Sequence, residues 1–252
     1  MDFAFATAPA PGGANEDHLV LSAGFAIVLD GVTQLPGLET GCGHGPGWLV
    51  RRLGSLLAEA LSNDGAVGLD RVLAGAIDAV RRCHADTCDL TNPNSPSATV
   101  AMVRERDGYL DYLVLCDSCV VFETDGAVVV VNDDRTGTLP SYDRDAVARL
   151  RNRPGGFWVA STVPEAAAEA LTGTVRADGL RRLLLCTDGV SRLVEFFGRS
   201  WIDVFELVER HGPRAAIDAV RACEERHPQR LAYRKGRVVK QHDDATLAVR
   251  LR

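Results

Sequence analysis

Four acidic residues stand where apolar, strand-forming runs begin or end. Glu16 precedes HLVLS, Asp30 closes FAIVL, Asp188 follows LLLCT, and Asp243 opens DDATLAVRL. Two of them are followed by glycine, Asp30-Gly31 and Asp188-Gly189. Taken singly, an acid in Asp-Gly is ordinarily a solvated turn residue. Folded as a hairpin about Ser22-Ala23-Gly24, however, the first two runs count outward from Ala23 to set Glu16 opposite Asp30. Opposed residues have Cβ atoms about 5 Å apart, and like charges there repel unless something neutralises them. If the last two runs pair antiparallel, Asp188 and Asp243 share a sheet end in the same way. Oxygen-only clusters of this kind suit hard cations such as Mg2+ or Mn2+. Gly31 lets the backbone come close enough to offer its carbonyl. Two ions sharing a carboxylate can activate water and clamp a phosphoryl oxygen.

Composition narrows the setting. The 252 residues are 46% hydrophobic and 25% charged, ordinary for one large globular domain, and residues 1–252 read as a single unit. With 34 acids against 28 bases the net charge is -6, which gives no reason to expect a nucleic-acid or anionic-membrane partner. No window approaches a membrane span, and MDFAFATAPAPGG lacks the basic start and apolar core of a secretory signal, so a cytoplasmic location is expected. Seven cysteines, at 42, 83, 88, 116, 119, 186 and 223, suit reduced thiols better than a disulfide framework. Cys116 and Cys119 have the spacing of a zinc or thioredoxin pair, but no second pair follows and they lie in a strand pattern. Cys83, His84 and Cys88 share a helical stretch on which positions five apart do not share a face, so they too read as packing.

The elements that must position the acids follow from periodicity. Residues 46–62 and 69–88 carry apolar residues at helical spacing, with Pro46 suited to the first turn and TNPNSPS ending the second helix. From Ala98 the period falls to two, and a four-strand meander runs to Asn132 through turns at Asp107-Gly108 and Asp125-Gly126. Short helices are expected near 143–152 and 164–171, then the strand LRRLLLCT, helices over 201–211 and 213–226, and a closing strand at the sheet edge. This order has no regular βαβ alternation, so largely antiparallel sheets with helices outside fit best.

In order along the chain, Asn15-Glu16-Asp17, Leu29-Asp30-Gly31, Ser97-Ala98-Thr99, Cys116-Asp117-Ser118, Thr187-Asp188-Gly189-Val190 and Asp243-Asp244-Ala245-Thr246 resemble the signature segments of the metal-dependent protein phosphatases of the protein phosphatase 2C type. The resemblance implies an α+β fold, a four-layer αββα sandwich of two largely antiparallel sheets flanked by helices. It also implies two Mn2+ or Mg2+ ions, with a third weaker one, and hydrolysis of a phosphoprotein substrate by metal-activated water. By position, Asp30 bridges both ions, Glu16 and the Gly31 carbonyl hold one, and Asp188 and Asp243 hold the other. Asp17 stands behind them, orienting a ligand, and Asp117 matches the acid of the third ion.

This chain departs from the family pattern at several points. Gly12 stands where the family has an arginine that grips the phosphate, and Arg234, Lys235, Arg237 or Lys240 are substitutes from a basic segment before Asp243. Val32 stands where eukaryotic members place a histidine that protonates the leaving group. His44, between two glycines, is a replacement general acid, and His242 is a second candidate. Arg192 stands where an acid commonly follows the metal-binding Asp by four residues. Two other functions remain open: a non-catalytic binding protein of the same fold, and a phosphoesterase acting on a small metabolite or nucleotide. Ligand acids kept together despite their mutual repulsion favour the catalytic readings.

Overall fold

A computed structural model describes residues 1–34, 37–63, 66–228 and 240–251. Two five-stranded sheets form its centre. The first contains β2 (Asp17–Leu21), β3 (Phe25–Gly31), β4 (Ala98–Arg106), β5 (Tyr109–Leu115) and β8 (Leu171–Arg176), in that order. The second runs β1 (Ala4–Ala8), β10 (Ala245–Leu251), β9 (Arg182–Cys186), β6 (Cys119–Thr124) and β7 (Ala127–Asn132). Every neighbouring pair is antiparallel.

Both central faces are covered, which explains why the strands read as unbroken apolar runs. Along β3, Ile27 and Leu29 point to one core with Leu53 and Leu57 of α1 (Pro46–Asn63) and Ile77 of α2 (Leu69–Cys83). Ala26 and Val28 point the other way, meeting Val120, Leu183, Leu185 and Ala248 of the facing sheet. The outer face of that second sheet packs Leu184, Leu247 and Val249 beneath α4 (Asp188–Glu195), α5 (Trp201–His211) and α6 (Arg214–Arg226). The result is helix, sheet, sheet, helix, as the resemblance implies. A shorter helix, α3 (Arg144–Leu150), lies over a small satellite core of Cys116, Phe157 and Val159.

Three readings need correction. The four strands from Ala98 to Asn132 are not one meander: β4 pairs with β5, but β6 pairs with β9 and β7 in the other sheet. The chain crosses between sheets at Cys116-Asp117-Ser118, where Cys116 takes a positive φ of 68°. The closing strand is not an edge: β1, a short run of small residues that periodicity does not reveal, pairs outside it. Residues 188–195 form a helix directly after β9, and 171–176 form β8.

Candidate metal centre

The site lies where both sheets end on the same side of the sandwich. The turn between β2 and β3 is tighter than expected: Ser22 N–H donates to Phe25 C=O at 2.9 Å, leaving Ala23 and Gly24 as the loop. The register therefore shifts by one, and Asp17, not Glu16, sits opposite Asp30. Glu16 instead offers its backbone carbonyl to Gly31 N–H at 3.1 Å, and its carboxylate accepts the Thr33 hydroxyl at 2.6 Å. From the other sheet, β9 and β10 pair with Cys186 opposite Leu247, and Thr187 N–H continues the ladder to Thr246 C=O at 3.0 Å. That pairing places Asp188 and Asp243 at the common end, as anticipated.

Cross-sheet bonds lock the two halves together. Thr187 Oγ1 donates to Asp17 Oδ2 at 3.1 Å. Asp244 accepts Glu16 N–H at 2.6 Å and Ala10 N–H at 2.7 Å. Asp17 and Asp244 are buried, whereas Asp30, Asp117, Asp188 and Asp243 are half-buried and keep a path to solvent. Burial, then the neighbouring Asp17 and Asp188, push the Asp30 carboxyl well above the usual range. Burial raises Asp17 likewise, helped by Asp244 and Asp188 and opposed by the Thr246 and Thr187 hydrogen bonds. Asp188 is pushed up to about 7 by burial and Asp243. Asp117, on the crossing between sheets, adds to the repulsion at Asp30 and Asp188 and accepts the Thr136 hydroxyl at 3.2 Å.

These residues fit hard divalent cations. The converging donors are carboxylates, and Asp17 Oδ1 is buried with no hydrogen-bond partner. Both glycines are sterically required. A Cβ on Gly31 would lie 2.6 Å from Glu16 O and 2.9 Å from Pro46 Cβ, and one on Gly189 would overlap the Asp244 carbonyl. Gly189→Ala is therefore expected to destabilise the protein by about 3 kcal/mol, toward the upper end for overpacking. Gly75→Ala, on α2 with open space around its Cβ, should gain about 0.5–1 kcal/mol. Thermal unfolding of the two variants checks this, and equal midpoints would refute it.

Sequence reading missed the scaffold behind Asp243. Arg192, one helical turn after Asp188, is buried and donates to Asp243 Oδ2 at 3.0 Å and Glu224 Oε1 at 2.8 Å. It also reaches the carbonyls of Lys240 and Gln241, at 3.2 and 3.4 Å. The arginine that looks like a loss of family pattern thus pins the segment carrying Asp243. The one available signal was its spacing of four from Asp188, which places both on the same face of α4. Glu224, fully buried, is satisfied by Arg192, Arg221 and His242.

Of the proposed substitutes for the missing arginine, Arg234, Lys235 and Arg237 lie outside the described residues. Lys240 Nζ donates to Asp243 Oδ1 at 3.1 Å and to Thr33 Oγ1 at 2.8 Å. Burial opposes its charge, but Asp243, Asp188 and Asp30 outweigh that and hold the ammonium above its ordinary range. The two histidines offered as general acids are engaged elsewhere. His242 Nδ1 meets Glu224 Oε2 at 2.7 Å. His44 Nδ1 meets Cys42 Sγ at 3.4 Å and Cys88 Sγ at 3.5 Å, and its ring stacks on Trp48. A cavity of about 200 Å³ begins at Val32 and Thr33, just past Gly31, and is walled by Tyr142, Arg144 and Arg151.

Comparison with known proteins bears on this arrangement. Residues 14–220 match the family model described as protein phosphatase 2C. A search of curated proteins returns no match. Among solved structures, the chain is similar to the catalytic domain of the serine/threonine protein phosphatase PstP in complex with two manganese ions. The identity is 17% and the TM-score 0.60, covering 98% of this chain and 96% of that one. It is also similar to PstP/Ppp of Mycobacterium tuberculosis, at 18% identity and TM-score 0.59, covering 98% and 97%. A third likeness is to the PPM Ser-Thr phosphatase MsPP of Mycobacterium smegmatis in complex with cacodylate, at 16% identity and TM-score 0.58, covering 99% and 97%. At such identities the solved structures speak for the fold. The family match, running from just before Glu16 to α6, goes further: the chain belongs to the protein phosphatase 2C family.

Proposed function

We propose that the protein is a metal-dependent phosphatase that hydrolyses phosphoserine and phosphothreonine esters with two Mn2+ or Mg2+ ions. The observation that carries this reading is that Asp17, Asp117, Asp188 and Asp243, brought from both sheets, all stand close enough to Asp30 to oppose its charge. Asp30, Asp188, Asp243, Glu16 and the Gly31 carbonyl are the groups that would hold the ions. Asp17 supports Asp30 from behind, and Asp117 serves a third, weaker position. Ions held there supply Lewis acidity toward a phosphoryl oxygen and lower the pKa of water.

Lys240 is the phosphate-binding cation in place of the absent arginine. Its ammonium, shared between Asp243 and Thr33, lies beside the carboxylates that would hold the ions and would be the cation at hand for a phosphate oxygen there. Arg192 and Glu224 keep it within reach by fixing the backbone at 240–243. A charge-assisted hydrogen bond contributes about 1.5–3 kcal/mol, so Lys240→Ala should lower kcat/KM by about 10–100-fold. The loss should fall mainly on KM, and an unchanged KM would exclude this role for Lys240.

Hydrolysis of p-nitrophenyl phosphate with Mn2+ and with a chelator tests the activity. Turnover that is absent, or indifferent to metal, overturns the proposal. A second reading, a phosphoesterase for a small metabolite or nucleotide, draws support from the cavity beside Thr33, where Gln34 Nε2, Tyr142 OH and Arg151 Nε are buried without partners. Parallel panels of phosphopeptides and nucleotides separate the two.

A further inference from the structure

Cys42, His44, His84 and Cys88 converge although the first two are far in sequence from the last two. The first two lie on the connection between β3 and α1, and the other two follow the end of α2. Packing of Cys83, His84 and Cys88 along a helix, expected from sequence, is not what the structure shows. The helix ends at Cys83, which turns outward, and the chain beyond it brings Cys88 back to His84.

Two sulfurs and two ring nitrogens, one from each residue, all lie within 4.8 Å of one another. Cys42 Sγ is 3.4 Å from His44 Nδ1 and 3.5 Å from His84 Nδ1, and Cys88 Sγ is 3.5 Å from His44 Nδ1. Zn–S bonds of about 2.3 Å and Zn–N bonds of about 2.0–2.1 Å place the corners of a tetrahedron about 3.4–3.8 Å apart. The observed sulfur-to-nitrogen separations fall on those edges. Both imidazoles turn Nδ1 inward, an arrangement that weak thiol hydrogen bonds do not require but a common ligand does. His84 is only 5% exposed. Trp48 closes the site, stacking on His44 with ring centroids 4.1 Å apart and meeting His84 at 5.2 Å.

We propose that Cys42, His44, His84 and Cys88 bind one structural Zn2+, tying the β3–α1 connection to the chain that leaves α2. Four protein ligands leave no open position, so the site is structural and not catalytic. Sulfur and imidazole donors select Zn2+ over the Mg2+ or Mn2+ suited to the carboxylates. On binding, each thiol releases a proton to solvent and both histidines ligate as neutral rings, so the completed site carries no net charge and no redox change occurs. The tie adds to hydrogen bonds that already join the two segments, with Asp89 N–H donating to Gly41 C=O at 2.7 Å and Asn92 Nδ2 to Glu39 C=O at 3.2 Å. It also anchors the approach to Pro46, the residue that crowds Gly31. This proposal does not rest on the phosphatase reading.

The test is made on the full chain, purified under reducing conditions with Mn2+ in excess so that the carboxylates are served. Elemental analysis should find about one zinc per chain, retained by Cys83→Ser and lost from Cys42→Ser and Cys88→Ser. Co2+ added to the zinc-free wild type should give the thiolate charge-transfer and intense visible bands of tetrahedral cobalt, a readout independent of how the variants fold. A wild type without zinc and without those bands overturns the proposal, as does zinc unaffected by both cysteine variants or a Cys42–Cys88 disulfide that persists in reductant. Phosphatase activity does not enter, so failure here and failure of the functional reading are told apart.

Discussion

Replacing Asp30 by asparagine is expected to abolish metal-dependent hydrolysis of p-nitrophenyl phosphate, lowering kcat by about three orders of magnitude or more. Metal-ion catalysis contributes several kcal/mol to the transition state, and each 1.36 kcal/mol is about tenfold in rate. Asp30 is placed to carry most of it, because Asp17, Asp188, Asp117 and Asp243 all oppose its charge. The same substitution removes a charge from that repelling group and should raise the unfolding midpoint of the chelated protein. Loss of activity together with a gain in metal-free stability marks a functional ligand. A structural residue would lose both, and an Asp30→Asn protein that keeps its Mn2+-stimulated rate would refute the assignment.

The second large effect is on stability against pH in the absence of divalent ions. An unfolded aspartate titrates near 3.9, whereas in the fold Asp17 and Asp30 are raised well above that and Asp188 to about 7. Between those values the native protein holds protons that the unfolded chain has lost, so stability is full below about pH 4 and falls as pH rises. Across the window the Asp188 shift alone amounts to about 4 kcal/mol. His18 acts in the opposite direction, because burial and Arg51 hold its pKa below the ordinary value. The informative quantity is thus the difference between wild type and Asp188→Asn in chelator from pH 5 to 8. That difference should grow with pH in favour of the variant, and added Mn2+ should stabilise wild type more at pH 8 than at pH 5. A difference that stays flat would show that burial and the neighbouring Asp243 do not raise the Asp188 carboxyl.

Much of the site was legible because acids at strand ends leave a local signature. Asp30-Gly31 and Asp188-Gly189 stop apolar runs abruptly, and the final two strands do pair antiparallel, the condition under which Asp188 and Asp243 share a sheet end. The opposition of Glu16 to Asp30 was not, because it rested on a turn centred on Ala23. A two-residue loop at Ala23-Gly24 moves the register by one and puts Asp17 across from Asp30. Nothing in the flanking residues distinguishes the two loops strongly, since both leave β2 and β3 with buried faces.

The amino-acid sequence by itself determined which acids end strands and that helices flank largely antiparallel strands. These follow from periodicity and residue type, properties confined to a few neighbours along the chain. Only the tertiary structure decided that β6 leaves its neighbour for the other sheet, that Arg192 is tied to Asp243 and Glu224, and that Lys240 reaches Thr33. It alone brings Cys42 and His44 to His84 and Cys88. Such meetings join segments thirty or more residues apart. Their partners are set by how whole layers stack, and no local period records that.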